Sequence, residues 1–203
     1  PKQTCCGQPA FNNGYWDEAR TLAKKFLNDF PEDKIIVTPS ASCSAFVINH
    51  YKKLFENDSM MLNECERVSR NIVELSDFLV NKLTVIKLGS HFPHKVTYHD
   101  SCSGLREYGL TNEARILLSQ VEGLELIELE ENTTCCGFGG TFSIKHTAIS
   151  TAMVEQKVRN ALATGAAYIV STEASCLLNI NAYCQKQQLA IKGIHLADVL
   201  ATF

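Results

Sequence analysis

Two stretches of the chain open on the same four residues, "TCCGQPAFNNG" (4–14) and "TCCGFGGTFSIKH" (134–146). Side chains of adjacent residues diverge, so a vicinal cysteine pair reaches one small ion only with strain. It suits a redox dithiol or a centre with several metals. Nine cysteines are present, at 5, 6, 43, 65, 102, 135, 136, 176 and 184. An odd number, two vicinal pairs and long gaps do not make a disulfide framework. In a reducing compartment such cysteines serve as metal ligands or catalytic thiols. Structural zinc usually draws on closely spaced Cys-x-x-Cys pairs, and none occurs here. An iron–sulfur cluster is commonly held by four thiolates and can take Cys135 on one iron and Cys136 on another. The glycines at 137, 139 and 140 let the backbone approach closely, and their amides could bond cluster sulfurs.

The pairs belong to a longer repeat. "VTPSASCSAFVINHY" (37–51) aligns with "VSTEASCLLNINAY" (170–183), and both contain Ala-Ser-Cys. Cys6 and Cys43 are 37 positions apart, Cys136 and Cys176 are 40. The copies are offset by 130 residues at the pairs and by 133 at the single cysteines. This pattern predicts a tandem duplication. Copy two adds Cys102, which completes a set of four with Cys135, Cys136 and Cys176. Copy one offers Cys5, Cys6 and Cys43. Its counterpart of Cys102 is expected 33 residues before Cys5, at a position the chain does not contain. The first unit is therefore read as truncated at its N-terminus and its site as incomplete.

The elements that must position these cysteines follow from periodicity. Copy one reads as a helix over 15–30, a strand over 34–39 and a helix over 42–55, with Ser42 as its N-cap. Copy two reads as a strand over 95–102, a helix over 110–121 and a strand over 124–129. A helix over 146–165, stopped by Gly165, a strand over 166–172 and a helix over 175–188 follow. Residues 190–203 supply a last strand and helix. Residues 66–83 read as one long helix and 89–94 as the linker. Strands alternating with helices predict an α/β fold with parallel sheets. The expected architecture is two tandem Rossmann-like units, 1–92 and 93–203, related by a pseudo-two-fold axis. Their cysteine loops would lie outside the carboxyl ends of the strands, facing a shared cleft. Thiolates at helix N-termini are favoured electrostatically there.

Composition narrows the setting. The chain of 203 residues is 45% hydrophobic and 20% charged, with net charge −3 and no basic block. That is ordinary for a globular protein and argues against nucleic acid as partner. No run approaches the length of a transmembrane helix, and no secretory leader is visible. The expected location is the cytoplasm.

The pattern cysteine, long gap, Cys-Cys-Gly, long gap, cysteine, present in two copies, resembles the CCG-domain (cysteine-rich domain) iron–sulfur family. That family includes the B subunit of heterodisulfide reductase and the iron–sulfur subunit of glycolate oxidase. "TCCGQPAFNNGY", "YHDSC", "TCCGFGGTFSIKH" and "GIHLADVL" carry the resemblance, which covers essentially the whole chain. It implies an electron-transfer protein that works with two partner iron–sulfur or oxidoreductase subunits in oxidising L-lactate to pyruvate. Peripheral association with a membrane complex is compatible with that role. In heterodisulfide reductase the second gap ends in Cys-x-x-Cys; here those places read "CSAF" and "CLLN". The implied cofactor is therefore a four-cysteine [4Fe–4S] cluster on Cys102, Cys135, Cys136 and Cys176, with Cys5, Cys6 and Cys43 matching the first copy. Three other readings stay open at this point. They are a thiol–disulfide enzyme, a zinc-stabilised module, and the equivalent subunit of a glycolate- or glycerol-3-phosphate-oxidising complex.

Other residues have plainer readings. Cys65 and Cys184 lack partners in the repeat and read as core. His99 and Asp100 could bond a cluster sulfide or move protons, but local side-chain bonds are common in turns and favour loop ordering. His146 reads as a helix start, and His50, His91, His94 and His195 show no ligand spacing. "GFGG" lacks the Lys-Ser/Thr of a phosphate loop. "ELEEN" (128–132) reads as a solvated strand end. No acid–base pair suited to lactate is apparent, so electrons rather than substrate are the expected traffic.

Overall fold

The computed structural model describes residues 5–203. Thr4, which opens the first Thr-Cys-Cys-Gly turn, lies outside the described residues. The fold is α/β, and its strands pair in parallel in both sheets.

In the first half, α1 (Gln8–Asn12) and α2 (Trp16–Asp29) lead to β1 (Ile36–Thr38) and α3 (Ala41–Leu54). Ala19, Ala23, Phe26 and Leu27 recur at helical spacing and form the buried stripe of α2. They meet Phe46, Val47 and Tyr51 of α3 in one core, which also takes in Cys65. The cap of α3 is Ser40, not Ser42: the Ser40 hydroxyl accepts from the Cys43 amide at 3.4 Å. Ser42 sits inside the first turn and turns towards Glu173.

The long helix expected over 66–83 is four elements. α4 (Ser59–Asn71) is capped by Asp58 and ends where β2 (Ile72–Glu74) begins. α5 (Leu75–Asp77) then runs into a wide π-type turn over Phe78–Lys82. The helical periodicity of 66–83 is real, but Ile72 and Val73 gain more by pairing with Ile36 and Val37 and burying both faces. Strand pairing thus overrides local pattern.

The second half holds β3 (Lys95–Tyr98), a π-type turn (Ser103–Tyr108), α6 (Glu113–Leu118) and β4 (Glu125–Leu126). α7 (Thr141–Lys145), α8 (Thr147–Ala163), β5 (Tyr168–Ser171), α9 (Ala174–Lys186), β6 (Lys192–His195) and α10 (Leu196–Leu200) follow. The strand order is β4-β3-β5-β6. Alternation along β5 sends Val170 to a core with α6 and α10, and Ile169 to one with α8 and α9. Helices therefore cover both faces, as a parallel sheet requires. Cys184 is part of the second of these cores. Leu79, Val80, Leu88 and Phe92 also pack on the second half, so the expected linker lies against it.

The pairing of β1 with β2 repeats that of β5 with β6. Glu74 and His195 end the outer strands, and each side chain caps the helix that follows. Among the described residues the first sheet has these two strands and the second has four. Among the same residues, no helix is long and apolar enough to cross a membrane.

Candidate metal centre

Parallel strands leave a crevice outside their carboxyl ends, and the cysteines of the second half stand there. Cys102 follows β3 at the head of the π-type turn, Cys135 and Cys136 lie between β4 and α7, and Cys176 occupies the first turn of α9 after β5. The sulfurs of Cys136 and Cys176 lie within 4.8 Å of one another, while Cys135 is near enough to act electrostatically on both Cys102 and Cys136. Cys136 and Cys176 are buried, and Cys102 and Cys135 are half-buried at the mouth.

Local structure explains why the pair faces the crevice. Gly137 takes φ +81°, a left-handed conformation, and its amide donates to Cys135 Sγ at 3.4 Å. A Cβ at this position would stand 2.7 Å from the Ser150 carbonyl oxygen. Asn179 Nδ2 donates to the Cys136 carbonyl at 2.9 Å. The buried Lys157 donates from Nζ to the Glu131 and Asn132 carbonyls at 2.7 and 3.1 Å, pinning the turn before the pair. Burial pushes the Lys157 amine down to about 8.

The sequence favours loop ordering for both His99 and Asp100. For Asp100 that role is seen: its carboxylate takes two bonds from Arg115, at 2.9 and 2.7 Å. Arg115 also pairs with Glu128 at 2.7 and 2.9 Å and lies over the Tyr98 ring. Glu128, expected to be simply solvated, is thus an ion-pair partner. His99 differs. Its ring is fully buried and neither nitrogen has a hydrogen-bond partner. Leaving such a group unpaired costs about 1–3 kcal/mol. A ring nitrogen of His99 and the sulfurs of Cys136 and Cys176 lie within 4.8 Å of one another. Burial, then the Lys157 charge, push its pKa down to about 3; the Asn132 backbone works the other way without reaching hydrogen-bond geometry. The ring is neutral.

Two of these thiols, Cys102 and Cys136, resist ionisation. The contact with Cys135 and then burial push Cys102 up. At Cys136 the contact with Cys135 acts downward, but Cys176 and burial outweigh it and the thiol rises to about 12. Iron binding would have to supply the charge that makes these groups thiolates.

The first half repeats the arrangement. Cys6 Sγ lies 3.4 Å from Cys43 Sγ, and the Gly7 amide donates to Cys5 Sγ at 3.4 Å. The Tyr51 hydroxyl holds the Cys6 carbonyl at 2.7 Å, as Asn179 holds that of Cys136. The contact with Cys43 raises Cys6 and, conversely, lowers Cys43. Among the described residues no fourth cysteine joins this group; Cys65 is in the core.

The two sites lie on a common seam. Glu173, just before α9, accepts from the Ser42 amide at 2.6 Å, the Ser42 hydroxyl at 2.8 Å and the Ser40 hydroxyl at 3.1 Å. Ser40 and Glu173 are equivalent positions of the repeat, so the caps of α3 and α9 touch each other. His195 Nε2 lies 3.0 Å from the Pro39 carbonyl oxygen. Gly104, two residues after Cys102, packs against Ala41, two residues before Cys43. Sequence reasoning missed Lys157 and Glu173, and weighed a bond from His99 to a cluster sulfide but favoured loop ordering for it. Only the histidine left a signal, three residues before a cysteine at a strand end.

Parallel α/β halves carrying converging Cys-Cys-Gly loops define a class, the cysteine-rich domain proteins that bind iron–sulfur clusters. The chain matches the cysteine-rich domain family over residues 1–48 and 96–181 and belongs to it. It is 41% identical to lactate utilization protein A 2 of Bacillus cereus (strain Q1) over 199 residues, 98% of this chain and 82% of that protein. It is 42% identical to lactate utilization protein A of Halalkalibacterium halodurans, covering 98% of this chain and 81% of that protein.

Proposed function

We propose that this chain is the iron–sulfur subunit of a multi-subunit L-lactate oxidation system. The observation that supports the reading is the gathering of Cys136 and Cys176 within 4.8 Å of an unpaired buried histidine, with Cys102 and Cys135 following neighbouring strands of the same sheet. The donor set fits a [4Fe–4S] cluster: thiolates from Cys102, Cys135, Cys136 and Cys176, an amide on the Cys135 sulfur, and a loop pinned from behind by Lys157. Relatives at 41–42% identity named for lactate utilization support the choice of substrate system.

Bound there, the cluster would accept and release single electrons. The chain's own residues do the rest. The buried Cys136 and Cys176 and the half-buried Cys102 and Cys135 would hold it, the latter two being the ligands nearer the surface where a partner would exchange electrons. We assign Cys5, Cys6 and Cys43 to a second centre across the seam. Free cysteines of this kind belong in a reducing compartment, so we place the protein in the cytoplasm. Oxidation of lactate needs a base for the hydroxyl proton and a two-electron acceptor, which this reading leaves to the partner subunits.

The test is reconstitution. Lactate-dependent dye reduction should require the chain together with its partner subunits, and should fall to background with Cys176→Ser. Turnover of lactate by the isolated chain would overturn the assignment of an electron carrier.

A further inference from the structure

We infer that His99 donates a hydrogen bond to a sulfur of the centre held by Cys102, Cys135, Cys136 and Cys176, and that this bond raises the centre's reduction potential. The inference rests on the reading of those cysteines as cluster ligands and extends it to a residue outside the ligand set.

The ring has no other employment. Its backbone is locked at the end of β3, the amide on the Val170 carbonyl at 2.9 Å and the carbonyl accepting from the Ser171 hydroxyl at 3.1 Å. The nearby polar groups are committed elsewhere: Asp100 to Arg115, Lys157 to the carbonyls of Glu131 and Asn132. Close to the ring stand the two buried sulfurs, Cys136 and Cys176, and the Asn132 backbone, whose carbonyl is already held by Lys157. A thiol is a weak acceptor. An iron-bound thiolate or sulfide is a strong one, so loading the site gives the orphaned N–H its partner. Four cysteines already suffice for the cluster, which leaves the histidine the part of donor. Reduction adds negative charge to the sulfurs, and a donor aimed at them favours the reduced state; hydrogen bonds to sulfur are a recognised control of cluster potential.

The experiment uses the full chain prepared without oxygen, with iron and acid-labile sulfide measured first. Potentials of wild type, His99→Leu and His99→Gln are then compared by redox titration followed by paramagnetic resonance. His99→Leu should shift the reduction equilibrium at least tenfold towards the oxidised state, a fall of about 59 mV for one electron. His99→Gln keeps an N–H and should recover most of that shift. In wild type labelled with ¹⁵N-histidine, the reduced cluster should show one weakly coupled nitrogen. An unchanged potential in an iron-replete His99→Leu protein overturns the inference while leaving the cluster intact. A strong coupling, the mark of an iron–nitrogen bond, also overturns it by making His99 a ligand. If His99→Leu fails to load, the glutamine variant and the label decide. Wild type without iron and sulfide would overturn the site reading and this inference together.

Discussion

Gly137 shows how one residue turns a cysteine pair into a site. Its left-handed backbone brings an amide onto Cys135, and its missing Cβ lets the loop press against the first turns of α8. Gly137→Ala should therefore meet two penalties, backbone strain and the clash with Ser150 and Met153, together about 2–4 kcal/mol. Gly165→Ala shares the positive φ but faces open space, so it should lose only about 1 kcal/mol. Denaturant unfolding of the metal-free protein measures both. Equal losses would mean that the tight approach of the loop contributes nothing. At this scale the cysteines were legible in the sequence, because residue type and spacing together state their chemistry. Lys157 was not, and for His99 the sequence left a bond to a cluster sulfide and loop ordering side by side, favouring the second. A buried histidine is a candidate donor only if its expected partners turn out to be occupied, and that is a property of packing.

At the scale of elements, the helices bring their N-termini to the seam. α3 and α9 each begin two residues before a site cysteine, and Glu173 binds the start of α3 through three hydrogen bonds. Removing a buried charged acceptor leaves its donors unsatisfied, so Glu173→Ala should destabilise the protein by about 2–4 kcal/mol. Ser42→Ala should cost less, and the double variant little more than Glu173→Ala alone, because both touch the same contact. Independent, fully additive losses would mean that the seam is not held this way. Most strands and helices were readable from periodicity. β2 was not, since Ile72 and Val73 fit a helical stripe as well as a strand and only the neighbouring β1 decides between them. The cap of α3 moved from Ser42 to Ser40 for a related reason: both hydroxyls suit the role, and Glu173, 131 residues away, claims Ser42.

Across the whole molecule, two α/β halves meet with their cysteine crevices against a shared seam. The sequence repeat sets one copy of the cysteine motif beside each of the two parallel sheets. It could not foretell that equivalent residues, Ser40 and Glu173, would be the ones in contact. We propose that the halves are related by a pseudo-two-fold axis through that contact, with electrons passing from one centre to the other across it. Everything above rests on the second crevice binding iron and sulfide. The direct measurement is iron, zinc and acid-labile sulfide on the anaerobically purified chain, with paramagnetic resonance after reduction. About four iron and four sulfide for the second centre are expected, lost in Cys136→Ser. Stoichiometric zinc with neither iron nor sulfide would contradict the account.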